Sequence, residues 1–418
     1  MIDFFRDDLR RPLDVPRGEI APGVAAAPAP AQPAPAPVVA GRWLCPGQGS
    51  ILSRALPAGS WRVRWSAPVR VGGAPQALQA SAERVLVQTA THWVLLDSER
   101  GEVLASGPRG RSEVLLDPSG ERFYFERLSP HTLSAHSARD GREEFGRSIG
   151  HAGSFERTFL ACLGGGRLAV GGVAARIAPY RPPDELGALE LWSLGDPPRA
   201  DDVGVLLTAE RVQVLTMRTR RVLFARRGEG FALAFPGGVA FLDAELNVER
   251  ALRAEFRAPE RLSVDLDGRC HLLVQEEDGG SAYWLLSADG KLLARVPWDR
   301  ARDGDVLAPP VLGPDHAAFL VSGKTVRALD PLGRLRWELP LETATGGASV
   351  TADGVLLLSL GGAVEAVRTE GGEPRRERLV DLGSGRLSTA PVLAPPDGRL
   401  LVAGPGAVHC CEAVGEGR

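Results

Sequence analysis

A unit of four short apolar strands recurs along this chain, and it constrains the fold more than any other feature. Its clearest copy is Ala308–Leu341, with PPVL, AAFLVS, TVRALD and LRWELP as strands and GPD, GK and PLG as turns. Gly347–Asp381 repeats it as ASVT, GVLLLSL, AVEAVRT and RRERLV, and Pro259–Trp298 as RLSVD, RCHLLVQ, SAYWLLS and LLARVPW. Ala74–Pro108, Ser112–Ile149 and Arg220–Phe256 supply further copies. Phe155–Met217 is too long for one unit and carries an insertion around Pro179–Gly187, read as a surface loop. A unit of about 40 residues cannot bury both faces of its own sheet, so neighbours must stack on it.

The two ends of the chain complete each other. The last copy, Thr389–Ala413, stops after three strands, TAPVLA, RLLVAG and AVHCCEA. An orphan with fourth-strand character, WRVRWSAPV at Trp61–Val69, stands near the start. Pairing them closes a ring and removes the exposed sheet edges of an open array. The prediction is an all-β, closed β-propeller of eight four-stranded blades, seven complete copies and one shared blade. The irregular stretch 155–256 leaves seven blades as the alternative.

Composition agrees with many short strands joined by tight turns. The 418 residues include 50 Gly and 33 Pro, and 44% are hydrophobic, enough for a large core. A net charge of −3 gives no electrostatic case for nucleic acid or an anionic membrane as partner. Only Lys291 and Lys324 are lysine, so the cations are nearly all arginine. That bias suggests a GC-rich genome and discounts single arginines as phosphate ligands.

Two segments precede the propeller region 41–418. Residues 1–19 form a charged head in which Ile2, Phe5 and Leu9 fall at i, i+3 and i+7, with Phe4 beside them. As a helix this head presents one apolar stripe, marginal alone in water but suited to a partner's groove. Residues 20–40 alternate Pro and Ala, which biases the backbone to polyproline II. At about 3.1 Å per residue such a spacer reaches roughly 60 Å. No apolar h-region follows the charged start, and no run of 18 apolar residues exists. Five widely spaced cysteines, Cys45, Cys162, Cys270, Cys410 and Cys411, fit reduced thiols and a cytoplasmic location.

The fragments LLSADGKLLARVPW (Leu285–Trp298) and ALDPLGRLRWELPL (Ala328–Leu341) carry a recognisable motif. It is an apolar strand ending in Asp, a Gly turn, then a strand with Trp. The matching positions are Asp330, Gly333 and Trp337, then Gly290 and Trp298, with Asp97 and Gly101 in the first blade. The motif resembles the repeat of the quinoprotein-like (pyrroloquinoline-quinone-repeat) β-propellers. The resemblance implies the fold, on which activities vary. Those families include exported dehydrogenases and exported non-catalytic scaffolds, whereas this chain shows no export signal. The dehydrogenases can hold a disulfide between adjacent cysteines, but Cys410–Cys411 lies in a last strand without a Ca²⁺-ligand set. A second resemblance, of context and not of motif, is to the propeller component of bacterial systems with a MoxR-type ATPase and a von Willebrand A protein.

Reactive constellations are sparse. Gly323–Lys324–Thr325 has the tail of a phosphate-binding loop, but Ala318 stands where its first glycine belongs, and a hairpin encloses it. Cys270–His271 and His409–Cys410–Cys411 offer soft ligands, yet neighbours on a strand point to opposite faces. The recurring Asp-Gly pairs suit turns. Arg211, Arg218, Arg220, Arg221, Arg226 and Arg227 occur without an intervening acid and form a candidate basic surface. No catalytic, metal or cofactor residue is assigned, and no small molecule is required. The expected function is a non-catalytic scaffold for protein partners. Its candidate contacts are Ile2, Phe4, Phe5 and Leu9 in the head and Arg218, Arg220 and Arg221 in the body. The alternative is a propeller hydrolase or lyase with a polar or metal site in its channel.

Overall fold

The computed structural model describes residues 40–41 and 55–414 apart from 110–113, 118, 129–130, 149–154, 165–166, 175–186, 196–207, 218, 220, 307, 344, 371, 384 and 395–397. These form eight antiparallel blades of four strands, consecutive in the chain in all but the last. Calling the strands A to D from the axis outward, blade 1 is Ala77–Ala80, Arg84–Gln88, His92–Asp97 and Val103–Pro108. Blade 2 is Leu115–Leu116, Arg122–Leu128, His131–Ser137 and Glu143–Ser148. Blade 3 is Phe155–Gly164, Arg167–Ala174, Gly187–Gly195 and Thr208–Met217. The overlong stretch is thus a single blade with long strands, and the ring has eight blades, not seven. The predicted insertion at 179–187 falls outside the described residues up to Gly187, which opens strand C.

Blade 4 is Leu223–Arg227, Gly230–Phe235, Gly238–Leu242 and Val248–Arg253. Blade 5 is Phe256–Val264, Cys270–Glu276, Ser281–Leu286 and Leu292–Trp298. Blade 6 is Val311–Leu312, Ala318–Val321, Thr325–Leu329 and Leu335–Pro340. Blade 7 is Thr345–Val350, Leu356–Leu360, Ala363–Glu370 and Glu373–Asp381. Blade 8 takes Val392–Ala394, Arg399–Ala403 and Ala407–Val414 from the end of the chain and Ser60–Pro68 from its start. The register runs from Ser60 opposite Val414 to Pro68 opposite Ala407. The orphan strand and the three-stranded last copy therefore meet as the sequence predicts.

Where the core lies explains why the ring must close. Buried apolar residues form eight clusters among the described residues, and each fills a seam between consecutive blades. Alternation along a strand sends successive side chains into different seams. Val85 and Val87 join the cluster between blades 8 and 1, while Leu86, between them, joins the cluster between blades 1 and 2. Cys410 and Cys411 divide the same way, into the 8–1 and 7–8 seams, and both thiols are free. Burial pushes the Cys411 thiol up to about 12.

Antiparallel order places the A–B and C–D turns on one face of the ring, here the turn face, and the B–C and D–A links on the other. A two-residue strand, Ala40–Gly41, pairs with the inner edge of blade 1, Ala40 opposite Ala80 and Gly41 opposite Gln79. It runs against Ala77–Ala80, with Ala40 at the turn-face end. Leu56 sits on that face too, its N–H donating to Asp353 Oδ1 at 3.1 Å in the A–B turn of blade 7.

Candidate functional site

The inner wall of the ring is a belt of hydroxyl and amide bonds. An innermost strand has an unpaired edge, and a buried carbonyl there needs a donor. Ser263 Oγ donates to Pro310 O at 2.8 Å, Ser349 Oγ to Pro391 O at 2.7 Å, and Ser388 Oγ to Pro75 O at 2.8 Å. Each bond joins one blade to the next. Pro75, Pro310 and Pro391 stand just before their innermost strands and carry no N–H to leave unpaired. Between blades 1 and 2, Gln79 Nε2 donates to Val114 O at 2.6 Å, and its Oε1 accepts from Leu116 N at 2.8 Å. These polar groups hold backbone, and none is paired with a general base.

The seam between blades 5 and 6 holds the densest set of titratable side chains. Asp265 Oδ2 accepts from Arg269 Nε at 2.7 Å and lies 3.4 Å from His271 Nε2 and 3.2 Å from His316 Nδ1. The Tyr283 hydroxyl stands 2.8 Å from His271 Nδ1, and His316 Nε2 is 3.1 Å from Asp267 Oδ2. Burial alone would raise the Asp265 carboxyl, but the bonds and charges of His271 and Arg269 outweigh it and hold the group well below the usual carboxylate range. Burial holds His271 below its ordinary value despite Asp265. His316 adopts a left-handed φ of +61°, uncommon outside glycine, and its two contacts across the seam secure it. A Tyr–His–Asp line suggests a proton relay, yet Tyr283 and His271 are 0% and 1% exposed, so no substrate reaches them. The network joins blades.

The predicted soft ligands diverge. Cys270 enters the apolar 4–5 seam, where burial pushes its thiol up to about 12, while His271 turns into the 5–6 seam. His409 Nδ1 meets Ser66 Oγ at 2.9 Å on the outer half of blade 8. Among the described residues no group of three or more His, Cys, Asp or Glu could hold a metal ion. Gly323–Lys324–Thr325 spans the B–C hairpin of blade 6, and Lys324 Nζ donates to Ala301 O at 2.9 Å.

On the turn face a clasp repeats from blade to blade. Arg84, Arg269 and Arg399, at the start of strand B, donate to a carbonyl in the C–D turn of the next blade: Ala138 O at 3.0 Å, Pro331 O at 3.1 Å and Ser98 O at 2.6 Å. Arg227, at the end of its strand A, reaches Ala288 O at 3.2 Å in the same way. Arg167 reaches Glu245 of the next C–D turn at 3.3 Å. The glycine of the receiving turn makes the approach possible. A Cβ on Gly290 would lie 1.8 Å from Leu252 Cδ1 of the preceding blade, and one on Gly333 would lie 2.4 Å from Ala294 Cβ. The motif Asp is turn chemistry, since Asp330 Oδ1 accepts from the N–H groups of Leu332 and Arg334, both at 2.8 Å. Trp337 Nε1 donates to Thr369 Oγ1 of the next blade at 2.9 Å.

Sequence reasoning set these arginines aside as genome composition. The available signal was position: Asp267–Gly268–Arg269 and Asp397–Gly398–Arg399 place Arg directly after a turn. Two members of the arginine run belong to the same machinery. Arg226 donates to Cys162 O at 2.8 Å, and Arg227 lies 4.8 Å over the Phe241 ring and pairs with Glu249 at 2.9 Å. Neither contributes a free basic surface. Arg221 is exposed, and Arg218 and Arg220 lie outside the described residues, as do Ile2, Phe4, Phe5 and Leu9. A polar cleft of about 570 Å³ opens between blades 1 and 2, where Arg84 is committed to its clasp and Arg122 to Glu144 at 2.7 Å.

Beside the exposed charged residues of its turns, the turn face also exposes apolar side chains. The large exposed hydrophobics among the described residues are Val63, Val71, Val103, Leu104, Leu266, Leu293, Leu332 and Leu335. All but Val63 and Val71 lie in an A–B or C–D turn or within two residues of one. Leu266 is 73% and Leu332 55% exposed, and the Arg269–Pro331 bond holds their two turns together across the 5–6 seam.

No family model and no curated protein matches the chain. Solved structures match its fold. The computationally designed Ika8 protein is similar at 15% identity and a TM-score of 0.53, over 87% of this chain and 99% of that one. The Dos1 propeller is similar at 10% identity and a TM-score of 0.56, over 86% of this chain and 96% of that one. The chain is a β-propeller. No helix among the described residues is long and apolar enough to cross a membrane.

Proposed function

We propose that this propeller is a non-catalytic platform for protein partners, acting in the cytoplasm, with the head at 1–19 as a tethered second contact. One observation carries the reading: most of the large exposed hydrophobics among the described residues lie in or beside the A–B and C–D turns of one face. Scattered surface leucines need no explanation, but their concentration on one face is what an interface requires. The buried polar groups support it from the other side, because they serve blade–blade bonds. So does the quinoprotein-like motif, whose Asp330, Gly333 and Trp337 are all used in a turn or a seam. A propeller in a MoxR ATPase and von Willebrand A system would be one setting for such a platform.

Two modest interfaces joined by a spacer gain from effective concentration. Affinity purification from the native cell tests this, with the full chain beside a chain lacking residues 1–19. The expected result is a stoichiometric protein partner that the shortened chain retains poorly. A folded shortened chain with unchanged partners would overturn the role of the head, and no stoichiometric protein with either chain would overturn the platform.

A further inference from the structure

We infer that four leucines around the C–D turn of blade 6, with Arg334 among them, receive a segment of a partner protein that brings apolar side chains and a carboxylate. The inference rests on the reading of the turn face as an interface and names what that interface recognises. Position comes first. Four of the eight large exposed hydrophobics among the described residues, Leu266, Leu293, Leu332 and Leu335, lie at the 5–6 seam. Leu332 stands in the turn itself, and Leu335 opens the strand that follows it. Leu266 comes from the A–B turn of blade 5, which the bond from Arg269 Nη1 to Pro331 O ties to this turn. Leu293 comes from the outer strand of blade 5, where Gly333 packs so closely on the neighbouring Ala294 that a Cβ would stand 2.4 Å from Ala294 Cβ. One seam of eight thus gathers half of these side chains, and an apolar patch rimmed by polar residues marks an interaction site.

Charge identifies the occupant. In these turns Asp265 pairs with Arg269, Asp267 contacts His316, Asp289 pairs with Lys291 and Asp315 with Arg336. Asp330 accepts two backbone N–H groups. The Arg334 side chain, exposed between Leu332 and Leu335, makes no hydrogen bond or ion pair within the described residues. The unpaired charge of the patch is therefore a cation. A guanidinium takes a carboxylate through two parallel N–H···O bonds, and apolar neighbours that exclude water strengthen the pair. The segment that fits carries Asp or Glu among apolar residues. An anionic bilayer calls for a cluster of cations, whereas the patch has one free arginine among paired acids.

A phage-displayed library of random peptides tests this, selected on the full chain and counter-selected on L266D/L332D. The expected peptides carry an acid beside apolar residues. Synthesised and titrated by fluorescence anisotropy, they should lose affinity by more than about tenfold with L266D/L332D and by about fivefold with Arg334→Glu, both variants melting like the parent. Replacing the peptide's acid by Lys should weaken binding to the parent and restore it to Arg334→Glu. No enrichment over the counter-selected chain, enriched peptides without an acid, an affinity indifferent to Arg334→Glu, or leucine-dependent pelleting with phosphatidylglycerol vesicles would each overturn the inference. The platform reading fails separately: it falls if L266D/L332D captures the native partner undiminished, whatever peptides are selected.

Discussion

The seam between blades 5 and 6 and the seam between blades 8 and 1 solve the same problem with different chemistry. Continuous chain joins blades 5 and 6, and their seam carries Asp265, Arg269, His271, Tyr283 and His316 around one buried carboxylate. Blade 8 closes the ring by pairing strands from opposite ends of the chain, and residues 69–76 lead from it into blade 1. Their seam is a continuous apolar cluster that includes Leu78, Val85, Val94, Leu401 and Cys410. At its turn-face edge two donors share one carbonyl, Arg399 Nη1 at 2.6 Å and Trp65 Nε1 at 3.2 Å from Ser98 O. Buried charge is costly to desolvate and stabilises only when fully partnered. The two seams partner their buried charge differently: guanidinium and imidazoles gather on the Asp265 carboxylate between blades 5 and 6, whereas the buried Arg399 between blades 8 and 1 binds a backbone carbonyl and Glu99.

This comparison breaks if the polar seam proves dispensable. Asp265→Ala leaves Arg269 without its carboxylate in a buried site and should cost about 3–5 kcal/mol in urea unfolding. Arg399→Ala, in the 8–1 seam, should cost about 1.5–3 kcal/mol, the loss of a charge-assisted buried bond, with Trp65 retaining the carbonyl. Gly290→Ala combines a left-handed φ of +82° with a clash against Leu252, and should cost about 1–3 kcal/mol in the same assay. Ser349→Ala removes one belt bond to Pro391 O and should cost about 1 kcal/mol.

Acid sharpens the contrast. The Asp265 carboxyl is held down in the folded protein, so its stabilisation is present above the unfolded value near 4 and is lost as pH falls below it. His271 is also held down, so the unfolded chain takes up a proton below about 6.5 that the folded chain refuses. Both terms lower stability as pH falls. The difference between parent and Asp265→Ala should therefore shrink in unfolding curves taken from pH 7 to pH 3. A constant difference would show that the carboxylate charge is not what the seam uses.

Much of the ring was legible because the strand-turn unit repeats and a ring with one incomplete blade at each end can close in one way. The count of eight held: Phe155–Met217 is one blade, and strands of up to 10 residues take up part of its extra length. The clasps were hidden. An Arg after a turn has a meaning only when the next blade presents a carbonyl to it, and Arg269 and Pro331 lie 62 residues apart. The Asp265 network was equally invisible, since His316 comes from a different blade. The turn-face leucines could not be told from core leucines, because Leu266 and Leu332 sit in turns while Leu272 and Leu329, a few residues away, are buried.

The account's central claim is that the turn face is the working surface of the platform. The most direct test is capture from the native cell by three full-length chains: the parent, the turn-face variant L266D/L332D, and Val71→Asp on the opposite face. The account predicts one stoichiometric protein bound by the parent and by Val71→Asp and lost from L266D/L332D, with all three melting alike. Equal capture by all three folded chains, or loss with Val71→Asp alone, would contradict it.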